Sequence, residues 1–157
     1  MSPAVPHANA PVSLREITRE NLRTTLQLEV SPDQREFVAP VGDSIAEAHY
    51  AGDVAWYRAI YAGEEAVGFV MIVDDPAHEH YYLWRLLVDH RHQGRGYGAA
   101  AMREVVDYVR SRPGARRLGT SYHGEAGGPA GFYERIGFVP TGEVDDDGEI
   151  EAVLELT

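Results

Sequence analysis

The 157-residue chain contains no cysteine, which excludes a disulfide framework, a thiolate metal site and a cysteine nucleophile. It also lacks any apolar run approaching the roughly 20 residues of a membrane span. Residues 1–11 (Ser, Pro, Ala, Asn and one His among them) have neither the basic start nor the apolar centre of a signal peptide. The default expectation is therefore a cytoplasmic protein with no membrane partner. Basic excess is missing too. A net charge of −11 argues against nucleic acid as a partner, because such binders need a basic face. It favours cationic partners, although an acidic surface also serves solubility alone.

What is present is ordinary for a soluble globular protein: 44% apolar and 25% charged residues, without repeats or low-complexity segments. The length suits a single domain, expected at 12–157 behind a flexible N-terminal arm at 1–11. Six acids crowd the last thirteen residues: Asp145, Asp146, Asp147, Glu149, Glu151 and Glu155. Asp146-Asp147-Gly148 is also what a hairpin turn requires.

Alternation of apolar and polar residues predicts a first strand at 12–17, with Thr18 capping a helix that starts near Glu20 and runs to Ser31-Pro32. A second helix is expected over 44–49, with Ser44 and Glu47 forming a capping box. Strands follow at 56–61, 66–73 and 81–88, the first two joined by a turn at Gly63-Glu64-Glu65. The run at 67–73 is apolar throughout, as suits a strand covered on both faces. Met102, Val105, Val106 and Val109 recur at helical spacing, and Arg112-Pro113-Gly114 ends that helix. A fifth strand at 118–122, a short helix at 130–136 between Pro129 and Gly137, and a hairpin of 138–144 with 150–156 complete the pattern.

Between the fourth strand and its helix lies Gln93-Gly94-Arg95-Gly96-Tyr97-Gly98, followed by Ala99. Glycines at alternate positions let the backbone present several N–H groups with no side chain in the way. The helix opening there adds unpaired N–H groups and the positive end of its dipole. This is an anion cradle suited to a phosphate or pyrophosphate. A P-loop reading fails because alanines occupy the places of its Lys-Ser/Thr pair. A dinucleotide reading is poor, since no acidic residue follows near Arg117-Leu118-Gly119-Thr120 to bind a ribose.

The remaining pattern, Gln-x-x-Gly-x-Gly behind Val88-Asp89-His90-Arg91, resembles the pyrophosphate loop of the GNAT superfamily of acyl-CoA-dependent N-acetyltransferases. Phe132-Tyr133-Glu134-Arg135-Ile136-Gly137-Phe138 looks like the Tyr-x-x-x-Gly-Phe end of that family's last helix. The likeness covers nearly all of the chain after Val12. Phe37-Val38-Ala39-Pro40, the stretch from Ser44 to Ala48, and Leu83-Trp84-Arg85-Leu86-Leu87-Val88 further resemble bacterial spermine/spermidine (diamine) acetyltransferases. The resemblance implies the GNAT fold: mixed α+β, with a central mixed twisted sheet of about six to seven strands and helices on both faces. It implies acetyl-CoA as co-substrate, no metal, and a small amine such as a polyamine as acceptor. Homodimers are frequent in the family, and the final hairpin offers an interface.

Three departures stand out. Glu125-Ala126 replaces an Asn that often helps hold CoA. Tyr82 stands where many members carry a glutamate base. His90 replaces the usual Pro of the strand-to-loop link.

Acetyl transfer needs the donor anchored, its carbonyl polarised, the amine deprotonated and the thiolate protonated. Anchoring is expected from Gln93, Gly94, Arg95, Gly96, Tyr97, Gly98 and Ala99, with Arg91 and Arg95 on phosphate oxygens. Polarisation is expected from a backbone N–H among Leu86, Leu87 and Val88, where the family's strands splay to accept the pantetheine arm. Tyr133 is the candidate acid, since a phenol of pKa ~10 can donate to a thiolate of pKa ~8.5. The base is open between Glu79, His80 and Tyr82. Glu47 and His49 are candidates for the acceptor cleft, and Trp84 and Tyr50 for stacking on an alkylammonium. His78-x-His80 has no further metal ligand in view. The alternatives are an aminoglycoside or protein amine as acceptor, or a non-catalytic acyl-CoA-binding module.

Overall fold

The computed structural model describes residues 10–156, so residues 1–9 of the expected arm lie outside it. Among the described residues, seven strands and four α-helices follow one another: β1 (Val12–Arg15), α1 (Leu22–Leu26), α2 (Val41–Ala51), β2 (Ala55–Ala62), β3 (Glu65–Asp75), β4 (His80–Val88), α3 (Tyr97–Arg110), β5 (Arg117–Tyr122), α4 (Ala130–Ile136), β6 (Val139–Val144) and β7 (Ile150–Glu155). The strands form one sheet in the order β1-β2-β3-β4-β5-β7-β6. Every pairing is antiparallel except β4 with β5, which α3 connects as the crossover that parallel neighbours require.

β3 is the spine of the sheet. Val70 and Ile72 pack on one face with Met102, Val105 and Val109 of α3, while Phe69 and Met71 pack on the other with Val41 and Ala48 of α2. This two-sided burial is what its unbroken apolar run predicts. The C-terminal end of α3 is tied down by a polar clamp: buried Asp74 accepts from Arg112 Nε at 3.0 Å and from the Tyr108 hydroxyl. Tyr81 adds a hydrogen bond from its hydroxyl to Pro113 O, at 2.5 Å.

Two helix expectations need correction. α1 begins at Leu22, not near Glu20, and ends by Leu26; the backbone N–H of Glu29 is held instead by the Asp89 carboxylate at 3.0 Å. α2 begins at Val41 directly after Pro40, which puts Ser44 inside the helix rather than at its cap. The Ser44 hydroxyl is buried and donates back to Pro40 O at 3.2 Å, while Glu47 reaches Arg85 at 3.1 Å. A proline's fixed φ is compatible with a helix start, although Pro40 supplies no side-chain cap. The capping box is absent.

The sheet opens where the site will form. β4 and β5 pair only at Tyr82–Gly119 and Leu83–Thr120. Immediately beyond, the β3–β4 register shifts, with Met71 facing Arg85 and Ile72 facing Leu83, so that Trp84 is the extra residue of a bulge. A bulge bends and twists its strand. From Trp84 to Val88, β4 therefore keeps β3 on one edge and, among the described residues, has no strand partner on the other.

Candidate active site

The link from β4 to α3 is shaped by Asp89, whose side chain is fully buried. Its carboxylate accepts from the backbone N–H of Glu29 and of Arg91, each at 3.0 Å, and from Arg91 Nε at 2.8 Å. Burial alone would raise its pKa, but the Arg91 guanidinium and these N–H groups hold it below the usual carboxylate range. Gln93 braces the turn by donating to Val88 O and to the Gln34 side chain, both at 2.9 Å. Gly94 and Gly96 then take φ of +78° and +81°, the left-handed region where glycine costs nothing sterically. The first bond inside α3 runs from Ala100 N–H to Gly96 O at 3.0 Å, leaving the N–H groups of Gly98 and Ala99 without a helical acceptor. A Cβ on Gly94 or Gly96 would meet nothing within 4 Å, so the turn borders open space. At Gly98 a Cβ would come within 3.2 Å of the Phe132 ring.

That open space is a cavity of about 500 Å³ between α3, α4 and the free edge of β4. Of the residues expected to hold the donor, Leu86, Val88, Gln93, Gly94, Gly96, Tyr97, Gly98 and Ala99 line it. Leu87 does not: it points to the opposite face of the sheet and packs in the core beneath α2. Arg91 and Arg95 are not among the lining residues either, and the Arg91 guanidinium is engaged by Asp89. The cation on this cavity is Arg135 of α4, which sequence reasoning passed over. His92 lines it too, buried with Nδ1 unbonded among the described residues, and burial pushes its pKa down.

On the other side lies a second cavity, of about 770 Å³. Its wall carries six carboxylates (Glu36, Asp43, Glu47, Asp145, Asp147 and Glu149) against two guanidinium groups, Arg35 and Arg85. Trp84 and Glu47, the one expected to stack on an alkylammonium and the other in the acceptor cleft, both line it. His49 and Tyr50 do not; their rings meet edge to face at 5.0 Å, and Tyr50 is 89% exposed. Phe37, Val38, Leu86, Pro129 and Tyr133 belong to both cavities, so the two meet at these residues.

Tyr133 stands at the junction. Its ring stacks on Tyr122 at 5.3 Å and meets Phe132 and Phe138 edge to face. Burial, reinforced by the charge of Glu149, pushes its pKa well up, so the phenol keeps its proton at neutral pH. The base candidates fare differently. Tyr82 lines the acidic cavity, but its hydroxyl donates to Glu151 at 3.3 Å and burial pushes its pKa up to about 12. A phenol held this way keeps its proton, the opposite of what a base needs. Glu79 sits before β4 with φ +50° and its side chain over Gly114, lining neither cavity. About 23 Å of extended chain separates it from Leu86. His80 lines neither cavity, and His78 is paired with Asp75 at 2.8 Å.

The sequence model of the acetyltransferase (GNAT) family matches residues 13–138. The chain belongs to the GNAT acetyltransferase family. This GNAT chain is 27% identical to the spermine/spermidine N(1)-acetyltransferase of Bacillus subtilis, across 92% of its own length and 99% of that protein's. Its fold is similar to that of a variant of the SpeG spermidine N-acetyltransferase of Vibrio cholerae (TM-score 0.72, 17% identity, 93% of this chain and 94% of the other). It is also similar to the Vibrio cholerae spermidine N-acetyltransferase in complex with CoA and spermine (TM-score 0.69, 15% identity, 93% and 96%). GNAT acetyltransferases use acetyl-CoA. The glycine turn, the N–H groups opening α3 and the Arg135 guanidinium suit its pyrophosphate, and the partnerless edge of β4 suits its amide-bearing arm.

Two site residues escaped sequence reasoning besides Arg135. Glu149 and His123 line the acidic cavity, with His123 Nε2 3.7 Å from Glu149 Oε1. Glu149 looked like one more acid beside a turn. Only the β5–β7 pairing, Tyr122 opposite Ile150, sets it beside the strand that leads to His123.

Proposed function

We propose that this chain transfers the acetyl group of acetyl-CoA to a primary amine of a polyamine, by direct attack in a ternary complex. The observation that carries the reading is the meeting of two unlike cavities at Tyr133: one rimmed by glycine N–H groups, the other by six carboxylates. Acetyl-CoA lies in the first, with its pyrophosphate on the turn from Gly94 to Ala99 and its thioester at the Leu86–Val88 edge. The amine enters through the second, where a multiply charged cation finds carboxylates spread along the wall. Tyr133 protonates the leaving thiolate. Similarity to the Bacillus subtilis spermine/spermidine acetyltransferase and to the structure holding CoA and spermine supports the same acceptor class.

The test is thiol release from acetyl-CoA with spermine, spermidine and diamines offered beside aminoglycosides and peptide amines. The fourteen basic side chains are all arginine, so lysine self-acetylation adds no background. Fastest turnover on a polyamine is the expected result. Preference for an aminoglycoside or a peptide transfers the assignment to that class, and tight CoA binding with no acceptor at all makes the chain an acyl-CoA-binding module.

A further inference from the structure

We infer that Glu149 is the catalytic base, accepting a proton from the acceptor ammonium, and that His123 and Glu125 carry this proton to solvent. The inference rests on the acetyl-transfer reading of the site but not on the acceptor being a polyamine.

Elimination among the carboxylates of the acidic cavity points to Glu149. Glu47 is held by Arg85 at 3.1 Å. Asp145 spends one carboxylate oxygen on the backbone N–H groups of Asp147 and Glu149, at 2.9 and 2.8 Å. Glu36, Asp43 and Asp147 are exposed. Glu149 is half-buried, and its charge acts on the Tyr133 phenol. Its carboxylate lies 3.7 Å from His123 Nε2, and His123 Nδ1 lies 3.5 Å from Glu125, whose side chain is 67% exposed. The His123 ring is steadied edge to face by Phe37, a residue of both cavities, at 5.5 Å. The result is a line of three groups from the wall of the acidic cavity outward. Its middle member is an imidazole, the side chain best suited to passing protons near neutral pH.

The surroundings also tune Glu149 as a base. Burial raises its pKa, and Asp145 and Asp147 on its own turn raise it further, while His123 from the end of β5 and Arg85 from β4 oppose them. A carboxylate shifted toward neutral pH is a stronger proton acceptor than an ordinary one.

The step balances. R–NH3⁺ gives one proton to the Glu149 carboxylate. The freed lone pair forms the N–C bond at the thioester carbonyl, the C–S bond breaks, and the thiolate takes the Tyr133 proton. The second proton lost from nitrogen restores the phenol. One proton ends on sulfur and one leaves through His123 and Glu125.

The experiment compares wild type, Glu149→Gln and His123→Gln in kcat, KM and pH profile, using the fastest amine of the panel. Glu149→Gln preserves size and the backbone N–H bond to Asp145, and a thermal melt verifies folding. Expected for Glu149→Gln is a kcat loss of about 10²-fold, within the usual range for general base catalysis, with KM changing little. The loss should shrink as pH rises toward the pKa of the amine, because the substrate then arrives deprotonated. His123→Gln should lose less and shift the acidic limb of the profile. A raised KM with unchanged kcat and pH profile would make Glu149 a cation-binding group and overturn the inference. So would full activity in the folded variant. Silence of the wild type on polyamines, with turnover of another amine, counts against the proposed acceptor and leaves this test intact.

Discussion

Aromatic rings enclose Tyr133 on three sides: Tyr122 stacks on it and Phe132 and Phe138 meet its edges. A helix tyrosine in such company would ordinarily be read as packing. Its position where the glycine-rimmed and the acidic cavities meet, together with a pKa pushed up by burial and by Glu149, keeps a proton available where a thiolate would leave. Replacing Tyr133 with Phe retains nearly all of the packing and removes the proton. Turnover should fall by about 10²- to 10⁴-fold, the span typical of a lost general acid. CoA affinity by calorimetry should stay within error; an unimpaired rate would end the acid role. At this scale the sequence singles out Tyr133 because its motif is local. It does not single out Glu149, since nothing within a few residues of it differs from a solvated acidic turn.

The strand-turn-helix unit of β4, the glycine turn and α3 was the most legible element, because each part follows from short-range chemistry. Alternate glycines permit φ of +78° and +81°, and the apolar stripe of Met102, Val105, Val106 and Val109 seats the helix on the sheet. Gly96→Val should test the cradle. A Cβ there has room, so the cost is the left-handed backbone, roughly 1–2 kcal/mol for an ordinary residue and more for a branched one. Relief of that strain moves the N–H groups that would hold the pyrophosphate. CoA affinity should drop by at least about tenfold, equivalent to 1.4 kcal/mol, with the melting curve only modestly lowered. Unchanged affinity would move the pyrophosphate elsewhere. Helix boundaries were less legible. Ser44 and Glu47 match a capping box in spacing, yet Pro40 opens α2 a turn earlier and buries Ser44. Inside the helix the Ser44 hydroxyl satisfies itself on the carbonyl four residues back, so the spacing that suggests a cap does not place one.

Across the whole molecule, the charge of −11 is not spread evenly; it concentrates six carboxylates on one cavity wall. A concave wall of one sign focuses field toward an incoming cation. KM for a polyamine should therefore rise several-fold, about 3- to 10-fold, between low and high salt, as screening shortens the reach of that field. KM for acetyl-CoA, whose pyrophosphate would meet the N–H groups of the turn and a single guanidinium, Arg135, should rise much less. Equal salt dependence for both substrates would reduce the acidic wall to a matter of solubility. The sequence by itself determined the order of strands and helices, the covered central strand and a glycine turn suited to a pyrophosphate, since periodicity and backbone permissiveness act over a few residues. The tertiary structure alone decided three other matters. The bulge at Trp84 leaves an edge of β4 without a strand partner. Asp89 takes Arg91, while Arg135 of α4 lines the glycine-rimmed cavity. The β5–β7 ladder brings Glu149 toward His123 and Tyr133 from 16 residues beyond that tyrosine. Each of these depends on which strands become neighbours, and strand pairing is a long-range choice that local spacing does not encode.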